Sequence, residues 1–394
     1  MPCTPVPDFS SAHAVLQAAV DAELLPGASA IVWRDGEVIA DFCTGYADIE
    51  RGELLQPSHI HRAFSNTKLL TSVLVLKLVD EGCFALDDPI KTWLPAMGHL
   101  RVLRRGATQL TDTDALQKDI TVRQLLSHQA GFSHGVFDPG TVIFDAYQAA
   151  GLRRSDAALD ELMARLTTLP LLYQPGDAWE YSMAPDVLAR LIEIVTGKSF
   201  AQALQTHLLE PLGMVDTAFV LRPDQAPRLS ALYGGDRLNP TSPGLTQLLD
   251  TPWPQAHLRA VPREGGSSGL CTTQRDMIAL LKGLLPGPDA YLSASSLAEM
   301  LKDQVPPERC VQFALGGPMP HMGFGLGGAI TRVVAPGQSD LAVGELQWGG
   351  LAGTHWWVSP AARCVGVLMT QRHFGFWNPF WFDYKQQVYR ALSA

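Results

Sequence analysis

The chain has 394 residues, 46% hydrophobic and 18% charged, enough for a large core and two subdomains. A formal net charge of -9 gives no electrostatic footprint for nucleic acid or an anionic membrane surface, so neither is expected as a partner. There is no basic n-region leading into an apolar h-region and no apolar stretch of transmembrane length, and Cys3, Cys43, Cys83, Cys271, Cys310 and Cys364 form no C-x-x-C pair; a cytoplasmic protein with reduced thiols is expected.

The first predicted elements are two β-prone runs in "ASAIVWRDGEVIADFCTG", joined at Asp35-Gly36, a pair suited to the positive φ angles of a tight hairpin. Next comes "HRAFSNTKLLTSVLVLKLVDEG", apolar from Leu69 onward, with Lys68 three residues after Ser65 at the start of a helix about to enter a core. Residues three apart share a helix face. The amine would therefore lie one turn deeper than the hydroxyl, where burial disfavours its charged form and the helix N-terminus favours a developing alkoxide. A neutral amine so placed could take the serine proton, which a nucleophilic hydroxyl requires near neutral pH. The competing reading makes Ser65 an N-cap and Lys68 a snorkelling surface residue.

Helical periodicity dominates the middle of the chain, in "TVRQLLSHQAG", "SDAALDELMARLTTLP", "APDVLARLIEIVTG" and "FAQALQTHLLEPLG". A long Pro-, Gly- and Asp-rich connection around residues 221–262 follows, of a kind that is more often functional than idle. It ends at "GGSSG", where Ser267 fits the G-x-S-x-G pattern of a rival nucleophile. That motif needs a strand before it, a helix directly after it and an alternating βα chain, none of which the surrounding sequence offers. A Gly-rich loop beside the site is the expectation for Ser267. Strand-like runs return in "LAVGELQWGG", "THWWVS" and "CVGVLMTQR", and "DYKQQVYRALSA" closes the chain as a helix. The predicted fold is α+β, an antiparallel sheet built from both chain ends and flanked by helices. Residues 1–90 and 262–394 would form the sheet domain, and 91–261 a mostly helical insertion.

Taken together, "FSNTK", "LLSHQAGF", "YQPGDAWEYSMAPDVLARLIEIVTG", "PLGM" and "LQWGGLAG" resemble, in order, the motifs of serine hydrolases of the class C β-lactamase type, and within them the family VIII carboxylesterases. The resemblance implies a β-lactamase-like fold, Ser65 as nucleophile, and Lys68 and Tyr181 as shared general base. It implies an oxyanion hole from the backbone N–H groups of Ser65 and Leu351, each worth about 3 kcal/mol in the transition state. Gly349 and Gly350 would let an ester approach the strand edge closely.

Two departures from the β-lactamase pattern matter. Tyr181-Ser182-Met183 replaces Tyr-x-Asn, and Trp348-Gly349-Gly350 replaces Lys-Thr-Gly, removing groups that would meet a β-lactam's amide and carboxylate. Trp348, Trp356, Trp357 and Met183 instead suggest an aromatic-walled pocket for a neutral acyl or alkyl group. His355 is a candidate substrate contact or auxiliary base, with packing as its ordinary alternative; His128 is expected to be structural. The aromatic tail "RHFGFWNPFWFDY" could line an acyl pocket or a dimer contact, with core packing as the default.

The expected activity is hydrolysis of small, neutral or hydrophobic carboxylic esters through an acyl-enzyme. Acyl transfer to another acceptor is the alternative, ahead of β-lactamase or D-peptidase activity or an inactive binding scaffold. No cofactor or metal is expected, the partner is a small-molecule ester, and a homo-oligomer stays open.

Overall fold

Before the predicted hairpin comes a helix, α1 (Ser10–Asp21), an addition to the strand-rich start expected from sequence. The hairpin follows as predicted: Asp35 and Gly36 take φ of 50° and 100° and turn β1 (Gly27–Arg34) back along β2 (Glu37–Asp48), with Arg34 opposite Glu37. The computed structural model describes residues 7–236, 239, 241–251, 255–260, 262–313 and 316–393. Cys3 and parts of the Pro-rich connection lie outside them.

A short β3 (Glu53–Leu54) borders β2, and the other half of the sheet comes from the C-terminal part of the chain. It comprises β4 (Met322–Phe324), β5 (Ala329–Thr331), β6 (Leu346–Gly349), β7 (His355–Ser359) and β8 (Cys364–Thr370). The strand order is β4-β5-β6-β7-β8-β1-β2-β3, antiparallel at every step. The join between the chain's two ends is β1 on β8, from Ala28 opposite Thr370 to Arg34 opposite Cys364.

Alternation along the strands divides the sheet's two faces. Ala28, Ala30, Val32, Trp357 and Leu368 pack with α1 and the terminal helix, whereas Ile31, Trp356, Val365, Val367 and Met369 join the main core on the other side. That core is built around α2 (Thr67–Asp80), in which every residue from Thr67 to Leu76 is buried. A helix apolar on all sides belongs inside a protein. Burying Leu69, Leu70, Val73, Leu74, Val75, Leu76 and Leu78 contributes on the order of 10–20 kcal/mol before the entropy of ordering is subtracted. This is ample to carry one lysine inward.

The helical segment supplies α3 (Val122–Leu126), α4 (Val142–Ala149), α5 (Leu159–Leu166), α6 (Ala184–Thr196) and α7 (Phe200–Leu204). The Thr121 and Gln124 capping box starts α3, and His128, at φ 57°, follows its end. α2 packs on α6, while α8 (Gln274–Lys282) lies against β1 and β8. α9 (Ala294–Leu301) touches α2, and α10 (Phe380–Ser393) pairs with α1. Among the described residues no helix is long and apolar enough to cross a membrane.

Candidate active site

Ser65 sits in a 3-10 turn, Phe64–Asn66, that runs directly into α2. Phe64 has a φ of 47°, a region costly for a bulky side chain, so the backbone is strained immediately before the serine. The serine is half-buried and opens on a cleft of about 500 Å³. Lys68, 2% exposed, places Nζ 3.3 Å from Ser65 Oγ, 2.9 Å from the Ser267 carbonyl oxygen and 4.7 Å from the centroid of the Tyr181 ring. The lysine is therefore buried beside the hydroxyl; the snorkelling alternative fails because α2 has no solvent face at this turn.

No carboxylate pairs with Lys68 among the described residues. The nearby imidazoles of His128 and His134 are held well below the usual histidine range, first by burial and then by the lysine's charge, so they stay neutral. His128 serves a structural end: its Nδ1 accepts the Ser182 amide at 3.2 Å and pairs with the Ser182 hydroxyl at 2.8 Å, fixing the segment that carries Tyr181. Tyr181 is buried, stacked on His134 at 5.2 Å, and its hydroxyl oxygen accepts a hydrogen bond from Trp348 Nε1 at 3.2 Å. The tryptophan in the position of a lysine thus gives Tyr181 a neutral donor.

Ser267 is not on a nucleophile elbow. Bends surround it, α8 begins only at Gln274, and it is itself engaged: its amide donates to Asp186 Oδ1 at 3.3 Å and its hydroxyl donates to Asp186 Oδ2. Thr71 Oγ1 donates to the Gly266 carbonyl at 2.8 Å. The GGSSG loop is thus clamped between α2 and the first turn of α6, and its Ser267 carbonyl holds Lys68. Asp186 was not a sequence candidate; an acid in a helix's first turn is ordinary there, and nothing local tells that it orients a loop 80 residues later.

At the end of β6, a Cβ on Gly350 would lie 2.4 Å from the Ala63 carbonyl oxygen and 2.4 Å from Thr354 Oγ1. Only glycine lets this strand end press against the Ser65 turn. Leu351 then lines the same cleft as Ser65, and the backbone N–H groups of both donate to no acceptor among the described residues. Gly349 pairs with His355 across β6 and β7.

The sequence-predicted pocket residues divide. Trp348, Gly349, Leu351 and Met183 line the cleft. His355 does not. Its ring stacks on Trp381 of α10 at 4.0 Å and on Phe376 at 5.4 Å, and it borders a second cavity of about 160 Å³ that shares Phe313, Trp348 and Phe376 with the cleft. The placement has a physical reason: in β7, His355 and Trp357 share a face, and α1 and α10 cover that face. Trp357 is in this second core and Trp356 is buried in the main one, so neither walls the cleft. The aromatic wall is instead Trp348 with Phe137, Phe313 and Phe376, none of the phenylalanines being obvious from local pattern. The tail splits likewise: His373, Phe374 and Phe376 face the cleft, while Phe380 and Trp381 pack in the core.

The Pro-rich connection contributes Thr251, His257 and Arg259 to the cleft, joined by Arg62, Arg153 and Arg263. A half-buried serine with a buried amine and a phenol beside it, two free amides across the opening, and an aromatic wall can support attack of an alkoxide on a carbonyl.

The sequence model of the Beta-lactamase family matches residues 12–379. The chain is 29% identical to Esterase EstB of Burkholderia gladioli, over 97% of this chain and 96% of that protein. It is 28% identical to Lovastatin esterase of Penicillium rubens, over 96% of this chain and 98% of that protein. Among solved structures it resembles EstCE1, described as a hydrolase with promiscuous acyltransferase activity, with a TM-score of 0.81, 25% identity and 98% coverage of each chain.

Proposed function

The chain belongs to the beta-lactamase family, and from that premise we propose that it is a serine carboxylesterase of the family VIII type, acting through an acyl-enzyme. The observation that carries the proposal is the buried Lys68 Nζ, 3.3 Å from Ser65 Oγ and 4.7 Å from the centroid of the Tyr181 ring, with Ser65 and Tyr181 both lining the cleft. Ser65 Oγ attacks the ester carbonyl while Lys68 and Tyr181, acting as a coupled pair, take its proton. The Ser65 and Leu351 amides hold the oxyanion. The pair then returns the proton to the leaving alkoxide, the C–O bond breaks, and water, activated the same way, releases the acid.

Trp348 at the place of a lysine and Met183 at the place of an asparagine favour an ester over a β-lactam or peptide, because a neutral donor and a thioether replace the groups that would bind an anionic, amide-bearing substrate. Trp348, Gly349 and Met183 would contact the substrate, and Gly350 would set the approach of Leu351. Acyl transfer to an alcohol is the second reading. It needs no other catalytic group, and a cleft of about 500 Å³ has room for an acceptor beside a short acyl chain. We also propose a cytoplasmic setting, in keeping with free Cys43, Cys83, Cys271, Cys310 and Cys364.

The test is intact-protein mass after brief mixing with p-nitrophenyl butyrate, for the parent, Ser65→Ala and Ser267→Ala. An acyl adduct and p-nitrophenol release that disappear in Ser65→Ala and persist in Ser267→Ala are expected. Adduct on Ser65→Ala would overturn the assignment. Product analysis with added short alcohols separates hydrolysis from transfer.

A further inference from the structure

The chain carries 39 acidic and 30 basic residues, yet its catalytic cleft has the opposite sign. Arg62, Arg153, Arg259 and Arg263 line it, and Asp186 is the acidic residue among the described lining. Asp186 is already committed to the Ser267 amide and hydroxyl. None of the four arginines forms a salt bridge among the described residues. Arg62 donates to the Ser230 carbonyl at 2.8 Å and Arg263 to the Leu152 carbonyl at 2.7 Å, so neither guanidinium has a carboxylate as its direct hydrogen-bond partner. Arg153 and Arg259 lie exposed on the rim, and neither makes a side-chain hydrogen bond among the described residues.

The arginines come from three separate parts of the chain: Arg62 from the segment entering the serine turn, Arg153 from the loop after α4, and Arg259 and Arg263 from the end of the Pro-rich connection and the residues just after it. Burial lowers Arg62 and Arg263 from the usual guanidinium range, and the charges of Asp186 and Asp156 offset this only in part at Arg263. Like charges gathered around one concave surface repel one another, and the low-dielectric walls focus their field on whatever enters. Elsewhere on the same protein arginines are matched with acids, as Arg123 is with Asp87 and Glu299, and Arg228 with Asp216. The cleft is therefore short of a negative partner that the chain itself does not supply.

Resting on the reading of Ser65 as nucleophile, we infer that the ester this cleft accepts carries an oxyanion group, a carboxylate or phosphate, which docks on Arg153, Arg259 and Arg263 while its apolar portion lies on the wall of Trp348 and Phe313. The planar, always-charged guanidinium is suited to forked recognition of such a group. Neutrality of the substrate is then confined to the part that meets the aromatic wall.

Four butyrate esters of matched size test this: 4-butyryloxybenzoate, 4-butyryloxyphenyl phosphate, the neutral methyl 4-butyryloxybenzoate, and the cationic 4-(trimethylammonio)phenyl butyrate, each followed by product release. The parent is expected to turn over at least one anion with kcat/KM about tenfold above the neutral ester, the size of one charge-assisted hydrogen bond. The cation should rank last, and the preferred anion separates carboxylate from phosphate. The anion-to-neutral ratio should fall toward one in Arg153→Gln combined with Arg259→Gln, and in the parent as salt is raised. Because the ratio is taken within one variant, a loss of folded protein cancels.

Equal kcat/KM across the four esters, or a ratio unchanged in the double variant, would overturn the inference. If p-nitrophenyl butyrate acylates Ser65 but no anion preference exists, the inference alone fails; if Ser65 is never acylated, the esterase reading fails and takes it along.

Discussion

Gly350→Ala is the sharpest probe of the proposed oxyanion hole. The new methyl would start 2.4 Å from both the Ala63 carbonyl oxygen and Thr354 Oγ1, with the Phe64 Cβ at 3.3 Å. Ordinary contact begins near 3.4 Å, so the strand end and the serine turn must part by about 1 Å, a misplacement that can cost about 10²-fold in rate. The backbone oxygen cannot rotate away as a side chain could, and the Thr354 hydroxyl is held beside it at 3.4 Å. The displaced group is the Leu351 amide. Losing one such donor costs about 2.7–4 kcal/mol of transition-state stabilisation, or 10²–10³ in kcat. The assay is steady-state hydrolysis of p-nitrophenyl butyrate, with thermal melting alongside to confirm that the variant is folded. A kcat at least about 100-fold down with KM little changed is expected. A folded Gly350→Ala enzyme within threefold of the parent kcat would refute both the steric argument and the role given to Leu351.

Two further outcomes follow from polar groups that are wholly or partly buried. Trp348→Phe keeps an aromatic ring at the wall but deletes the 3.2 Å donor to the Tyr181 oxygen; kcat on p-nitrophenyl butyrate should fall about tenfold with KM within a few-fold, and an unchanged kcat would mean that the indole N–H is not part of the proton relay. Burial, and then the charge of Asp138, raises the Glu180 carboxyl from its usual 4.5 up to about 7. A folded-state value above the unfolded one means that the native protein binds the extra proton, so the contribution of Glu180 to stability is greatest below pH 4.5 and is lost as pH rises through about 7. With partial exposure discounted, Glu180→Gln should gain about 1–2 kcal/mol relative to the parent at pH 8 and nothing at pH 4. Denaturant melts at the two pH values check this, and an equal difference at both would exclude ionisation of Glu180 as the cause.

The sequence by itself determined what depends on near neighbours. Asp35-Gly36 dictated a hairpin because its positive φ angles are local, and the spacing of Ser65 and Lys68 put both on one helix face because 3.6 residues make a turn wherever the helix lies. The unbroken apolar run from Leu69 announced a core helix, and the glycines after Trp348 announced a close backbone approach. Tertiary structure decided the rest. Whether His355, Trp356 or Trp357 faces substrate is a matter of strand parity, and a period of two looks the same from either side until α1 and α10 cover one face. Asp186 acquires its task only when the GGSSG loop returns to α6. Arg153, Arg259 and Arg263 become a set only when loops about a hundred residues apart close on one cleft. Local chemistry is written in short spacing, but a site's charge and shape are sums over distant segments, and folding alone brings those terms together.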